Sequence, residues 1–232
     1  MRPGEHGKTA GVAGMILRGV PAAIATGPSA EAPRTEAHAM SHLWEAFLVS
    51  TGLVAIAEIG DKTMLLAIAL AAAWRRPTPI ILGILAATVL NHAFAALAGT
   101  LAAHYLNGPW MKWIVGFAFL AFAGWALIPD TLDEDEGAPK DAKTWAAIFW
   151  TTAAAFFLVE MGDKTQIATA GLAIRFENLP LVVAGSTLGM MLVNGPAVLL
   201  GEATARRLPL KYIRMAAAAA FAITGLWVLI AG

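Results

Sequence analysis

Two apolar segments, residues 43–73 and 144–174, are each 31 residues long and carry the hexad Glu-x-Gly-Asp-Lys-Thr near their centres, at 58–63 and 160–165. Any fold of this chain must therefore place four carboxylates and two ammonium groups among apolar neighbours. At 1.5 Å per residue, a helix of this length runs ~46 Å, well beyond the ~30 Å hydrocarbon layer of a bilayer. Such a helix has to tilt steeply or break. The break is expected at Gly60 and Gly162, inside the hexads, where freed backbone groups can find polar partners.

The rest of the chain fits a membrane protein. Of 232 residues, 58% are hydrophobic and 14% charged, against roughly 25% charged in a soluble domain. Further apolar segments at 77–106, 110–128, 179–200 and 215–231 bring the number of expected transmembrane helices to six. Residues 1–40, rich in Gly, Ala and Pro, read as a disordered tail or a mis-assigned start, with Met40 an equally good beginning. Residues 129–143 read as an acidic linker. The absence of cysteine excludes thiolate sites and disulfides, and a net charge of zero gives no sign of nucleic-acid binding. No cofactor is expected, and oligomeric state is not legible.

A shift of 102 residues superposes the two hexads and also aligns Gly83 with Gly185, Phe119 with Phe221, Trp125 with Trp227 and Leu127 with Leu229. Asn91 and Asn194 match after a one-residue adjustment. The chain thus reads as two three-helix repeats, 41–128 and 144–232. Because three is odd, the second copy enters the membrane in the opposite sense. Inverted repeats of this kind build substrate sites from interrupted helices near the midplane. Eight basic residues (Arg75, Arg76, Lys140, Lys143, Arg206, Arg207, Lys211, Arg214) mark one side, against Arg34, Lys112 and Arg175 on the other. The positive-inside rule then places the linker in the cytoplasm and both termini outside it.

Glu and Asp three residues apart share a helix face, so Glu58, Asp61, Glu160 and Asp163 can present a ring of oxygens to a hard divalent cation. Thr63, Thr165, Gln166, Asn91 and Asn194 are secondary oxygen donors, though Thr and Asn also serve helix packing in lipid. Lys62 and Lys164 stand four residues after Glu58 and Glu160, the favourable order for ion pairs if the helix continues through that turn. On that reading the hexads are self-neutralised pairs holding helices together, which leaves Asp61 and Asp163 without an assigned counter-charge. Four carboxylates and two lysines sum to minus two, the charge of one divalent cation or two protons exchanged for it. Met64 and Met161 could supply thioether sulfur but more simply fill space. His92 has no counterpart, since Gly195 follows Asn194, and is expected to be a packing residue. The acidic run Asp130, Asp133, Glu134, Asp135, Glu136 lacks the spacing of a calcium loop.

The duplicated hexad on long first and fourth helices, joined by an acidic connection, resembles the family of small Golgi, chloroplast-membrane and bacterial calcium/manganese cation exchangers. The resemblance covers roughly residues 42–231. It implies proton-coupled exchange of Mn²⁺ or Ca²⁺, with the bacterial members looking like manganese exporters, and it makes Glu58, Asp61, Glu160 and Asp163 the cation ligands. Secondary transport in a bacterial inner membrane, with divalent cation, protons and lipid as partners, is the expected function. Two other classes share parts of this pattern. A cation channel can also use carboxylate rings. An intramembrane aspartyl protease is the remote alternative, because Glu stands where the protease motif has Gly, and a lysine after each Asp opposes a shared proton. The expected chain is therefore a transporter and not an enzyme.

Overall fold

The computed structural model describes residues 32–105, 108–129, 142–200 and 209–231. The chain divides between Met40 and Ser41, and the packing below concerns Ser41–Gly232. The expected acidic linker and most of the expected tail lie outside the described residues.

Eight helices make up the described residues: α1 (Ala32–Glu58), α2 (Lys62–Trp74), α3 (Pro77–Tyr105), α4 (Met111–Trp125), α5 (Trp145–Glu160), α6 (Lys164–Phe176), α7 (Leu179–Leu200) and α8 (Leu210–Ala231). The regular structure among the described residues is all helical, and the protein is an integral membrane protein. α3, α7 and α8 are each long and apolar enough to cross a bilayer, and α5 with α6, bent by 72° at their junction, has the length and composition of a broken span or a re-entrant loop. Two helix starts differ from the sequence reading. α1 begins at Ala32, inside the expected tail, because 34–40 contain no Gly or Pro to stop a helix and Pro33 falls in its first turn, where proline is tolerated. α8 begins at Leu210 rather than 215, since Tyr212 and Ile213 donate their N–H groups to the Pro209 carbonyl and extend the helix through charged residues that hydropathy leaves out.

The 102-residue shift reappears in backbone geometry. Four described residues have positive φ, and they form two matched pairs: Gly60 (+84°) with Gly162 (+78°), and Arg75 (+52°) with Glu177 (+50°). The first pair breaks the long helices. The second ends α2 and α6 in left-handed caps whose N–H groups bond Ala71 O and Ala173 O.

Packing between the elements repeats in the same register. A Cβ added at Gly83 on α3 would lie 2.7 Å from Phe149 O and 2.8 Å from Thr152 Cβ on α5. At Gly185 on α7 it would lie 2.5 Å from Phe47 O and 3.0 Å from Ser50 Cβ on α1. Each pair of contacts is the other displaced by 102. Without a hydrophobic driving force between helices in lipid, small residues that admit close backbone approach supply the attraction as van der Waals contact. α4 and α8 meet at another matched pair, the fully buried Phe119 and Phe221, whose rings stack at 6.3 Å.

Replacing Gly83 or Gly185 by Leu is expected to push the paired helices apart and destabilise the protein by about 1–3 kcal/mol or more, as overpacking does. Gly124→Ala, where an added Cβ meets nothing within 4 Å, should leave the melting temperature in detergent at or above that of the wild type.

Candidate cation site

Each break is built by its own hexad. The left-handed glycine turns the chain out of α1 or α5, and the following aspartate restarts it as an N-cap: Asp61 (φ −75°, ψ 163°) accepts from Thr63 N, and Asp163 (φ −74°, ψ 165°) accepts from Thr165 N. A side-chain acceptor at this position satisfies one of the orphan donors of a helix start. The threonine hydroxyl then reaches back across the break. Thr63 Oγ1 donates to Glu58 Oε2 at 2.6 Å, and Thr165 Oγ1 donates to Glu160 Oε1. Gly, Asp and Thr thus shape the loop, and Glu ends the preceding helix within reach of it.

Two further residues hold the loops in a way the sequence reading missed. Gly60 N donates to Met64 Sδ at 3.4 Å and Gly162 N to Gln166 Oε1 at 2.6 Å. Met64 and Gln166 are 102 residues apart but chemically unlike, so comparison of residue types passes over them. Gln166 Nε2 also reaches Asn91 Oδ1 at 3.5 Å. In this structure Gln166 is a loop fastener on α6.

The four-residue step from Glu58 to Lys62 and from Glu160 to Lys164 is not a helical turn here. The left-handed turn at Gly60 or Gly162 lies between the two residues and removes the helical spacing that pairing requires. Two ion pairs cross between repeats: Lys164 Nζ binds Asp61 Oδ1, and Lys62 Nζ lies 3.7 Å from Asp163 Oδ1. The aspartates, which the helical reading left without counter-charges, both have them.

All four carboxylates are buried, Glu58, Asp61 and Glu160 at 1% exposure or less and Asp163 at 4%. Glu58, Glu160 and Asp163 bring one oxygen each within 4.8 Å of one another. Two oxygens on opposite sides of a Ca²⁺ or Mn²⁺-sized ion with a shell of ~2.4 Å are about 4.8 Å apart, so the three can share one cation. Asp61 is not in that group. Glu58 Oε1 and Glu160 Oε2 are buried with no hydrogen-bond partner, and so is Asn194 Oδ1. Asn194 Nδ2 lies 3.4 Å from Glu58 Oε2, whereas Asn91 Nδ2 bonds Phe157 O at 3.1 Å rather than Glu160. His92 is fully buried on α3 with neither ring nitrogen hydrogen-bonded.

The C-terminal ends of α1 and α5 and the N-terminal ends of α2 and α6 all meet at the hexads. Carbonyl-bearing C-termini favour a cation, and N-termini hold the aspartates. Buried carboxylates carried on broken helices in a membrane protein are a combination found in cation transporters.

The chain belongs to the divalent cation/proton antiporter GDT1 family, which matches residues 46–134 and 148–232 and so takes in both hexads. A Vibrio cholerae protein named "Putative manganese exporter" is 44% identical over 186 residues, covering 80% of this chain and 90% of that protein. The "Divalent cation/proton antiporter GDT1" of Saccharomyces cerevisiae is 26% identical, over 82% of this chain and 85% of its own length. "GDT1-like protein 5" of Arabidopsis thaliana is 28% identical, over 81% and 96%. No solved structure matches the chain.

Lys164→Met, which takes the ammonium away from buried Asp61, is expected to cost about 3–5 kcal/mol. Lys62→Met, at a longer and partly exposed pair, should cost less. Yield of monodisperse protein and melting temperature in detergent report the order, and equal losses from the two changes would contradict the unequal pairing.

Proposed function

We propose that this chain exports Mn²⁺ in exchange for protons, using Glu58, Glu160 and Asp163 as the oxygens that hold the ion. The carrying observation is the convergence of these three buried acids within 4.8 Å from two separate breaks. Family membership supplies the reaction class, and the name of the Vibrio cholerae relative supports manganese as the cargo. Asn194, beside Glu58, is the neutral donor best placed to complete the shell. Thr63 and Thr165 orient the glutamates. Asp61 acts through Lys164, which it binds across the repeat boundary. No bound cofactor is needed in this scheme, because metal and protons are both cargo.

Exchange follows from charge. Three clustered carboxylates cannot all stay ionised and uncompensated at low dielectric, so metal and protons compete for the same oxygens. Either occupant lowers the charge that moves through the membrane.

In our reading the chain has six spans, α1 with α2, α3, α4, α5 with α6, α7 and α8, arranged as two inverted repeats of 41–128 and 144–232. The matched positive-φ residues and the exchanged glycine contacts of Gly83 and Gly185 support it. With basic residues weighted to one side, both termini lie outside the cytoplasm of a bacterial inner membrane and 129–143 lies inside. Two related halves around one site provide the two conformations of alternating access.

In proteoliposomes, Mn²⁺ flux should drive an opposing proton flux read by a pH dye. Both should fall by roughly a hundredfold in Glu160→Gln, since one ligand and one proton carrier are removed together. Wild-type flux in Glu160→Gln, or Mn²⁺ movement with no proton movement, would defeat the proposal, the second outcome favouring a channel.

A further inference from the structure

The two crossed ion pairs are equivalent in sequence and unequal in structure. Lys164 is 3% exposed and sits on Asp61, which lies outside the three-acid group. Lys62 is 23% exposed and stands 3.7 Å from Asp163, which lies inside it. One pair fastens the repeats together. The other places a partly exposed positive charge beside one of the three clustered acids.

We propose that Lys62 is a tethered competitor of the transported cation: its ammonium and the metal contend for the Asp163 carboxylate, and metal binding moves the ammonium off it. This rests on the reading of Glu58, Glu160 and Asp163 as the cation site. A contact of 3.7 Å is well beyond the ~2.7–2.9 Å of a close charge-assisted hydrogen bond, so little is lost on parting. Lys62 is the first residue of α2, directly after the break. Its backbone is fixed by the Asp61 cap while its four-carbon stem can swing toward the exposed side.

Positive charge stands at the site in both arrangements. Of the three negative charges that Glu58, Glu160 and Asp163 can carry, Lys62 offsets one before the ion arrives, and the protons to be exchanged offset others. When a divalent ion enters, the protons leave and Lys62 withdraws, and the ion offsets two. The carboxylates are never left bare, which matters because uncompensated buried charge is strongly destabilising. Return of the ammonium to Asp163 removes one ligand from the ion and favours its release. Lys164 cannot serve in this way, being buried against an aspartate that the ion does not use.

The test measures Mn²⁺ binding by calorimetry to the full chain in nanodiscs. Removing the competitor in Lys62→Gln should tighten binding by roughly tenfold or more, as expected for deleting a like charge a few ångströms from the site. In the wild-type chain, saturating Mn²⁺ should raise labelling of Lys62 by an amine-reactive ester, quantified by mass spectrometry. Unchanged or weaker binding in Lys62→Gln overturns the inference, and so does labelling that stays level or falls. The labelling arm uses only wild-type protein and decides the matter even if the variant folds poorly. Glu160→Gln distinguishes the two layers: loss of binding there upholds the site whatever Lys62 does, and wild-type binding there removes the site itself.

Discussion

A lone carboxylate at membrane depth costs ~2.5–3.5 kcal/mol on insertion scales, and this chain holds four of them buried. Two of the four are met by lysines from the other half of the chain: Asp61 by Lys164 and Asp163 by Lys62. Each of these pairs joins one half of the chain to the other, so the electrostatics favour bringing the halves together around the hexads.

Close helix packing also joins the halves. α7 rides on α1 through Gly185 and α3 on α5 through Gly83, so each broken helix is braced by a helix of the other repeat. These contacts also bring Asn194 of α7 to Glu58 of α1, a partnership between residues 136 apart in the chain. The left-handed glycines then aim α2 and α6 away from their predecessors, with 72° between α5 and α6, and the loops turn their acids toward one another.

Much of this was legible in the sequence. The breaks fall at the two glycines inside the hexads, where a 31-residue apolar segment that must tilt or break was expected to break, and the register of Gly83 with Gly185 and Phe119 with Phe221 recurs as real contacts. The lysine partners were not legible. Four-residue spacing points Lys62 at Glu58 only while a helix runs through both, and the turn that destroys this spacing is a three-dimensional fact. Met64 and Gln166 escaped for a different reason: a thioether and an amide do the same capping work, and residue identity conceals it. The grouping of three acids without the fourth was likewise invisible, since both hexads read alike and only their unequal pairing separates Asp61 from Asp163.

If two breaks share one cation site made of three carboxylates, Mn²⁺ occupies a single position between them, and anomalous scattering from crystals of the protein grown with Mn²⁺ locates it. The expected result is a single strong peak bounded by Glu58, Glu160 and Asp163, with Asp61 still on Lys164. Two symmetric peaks, one at each hexad, or a peak held by Asp61, would contradict it.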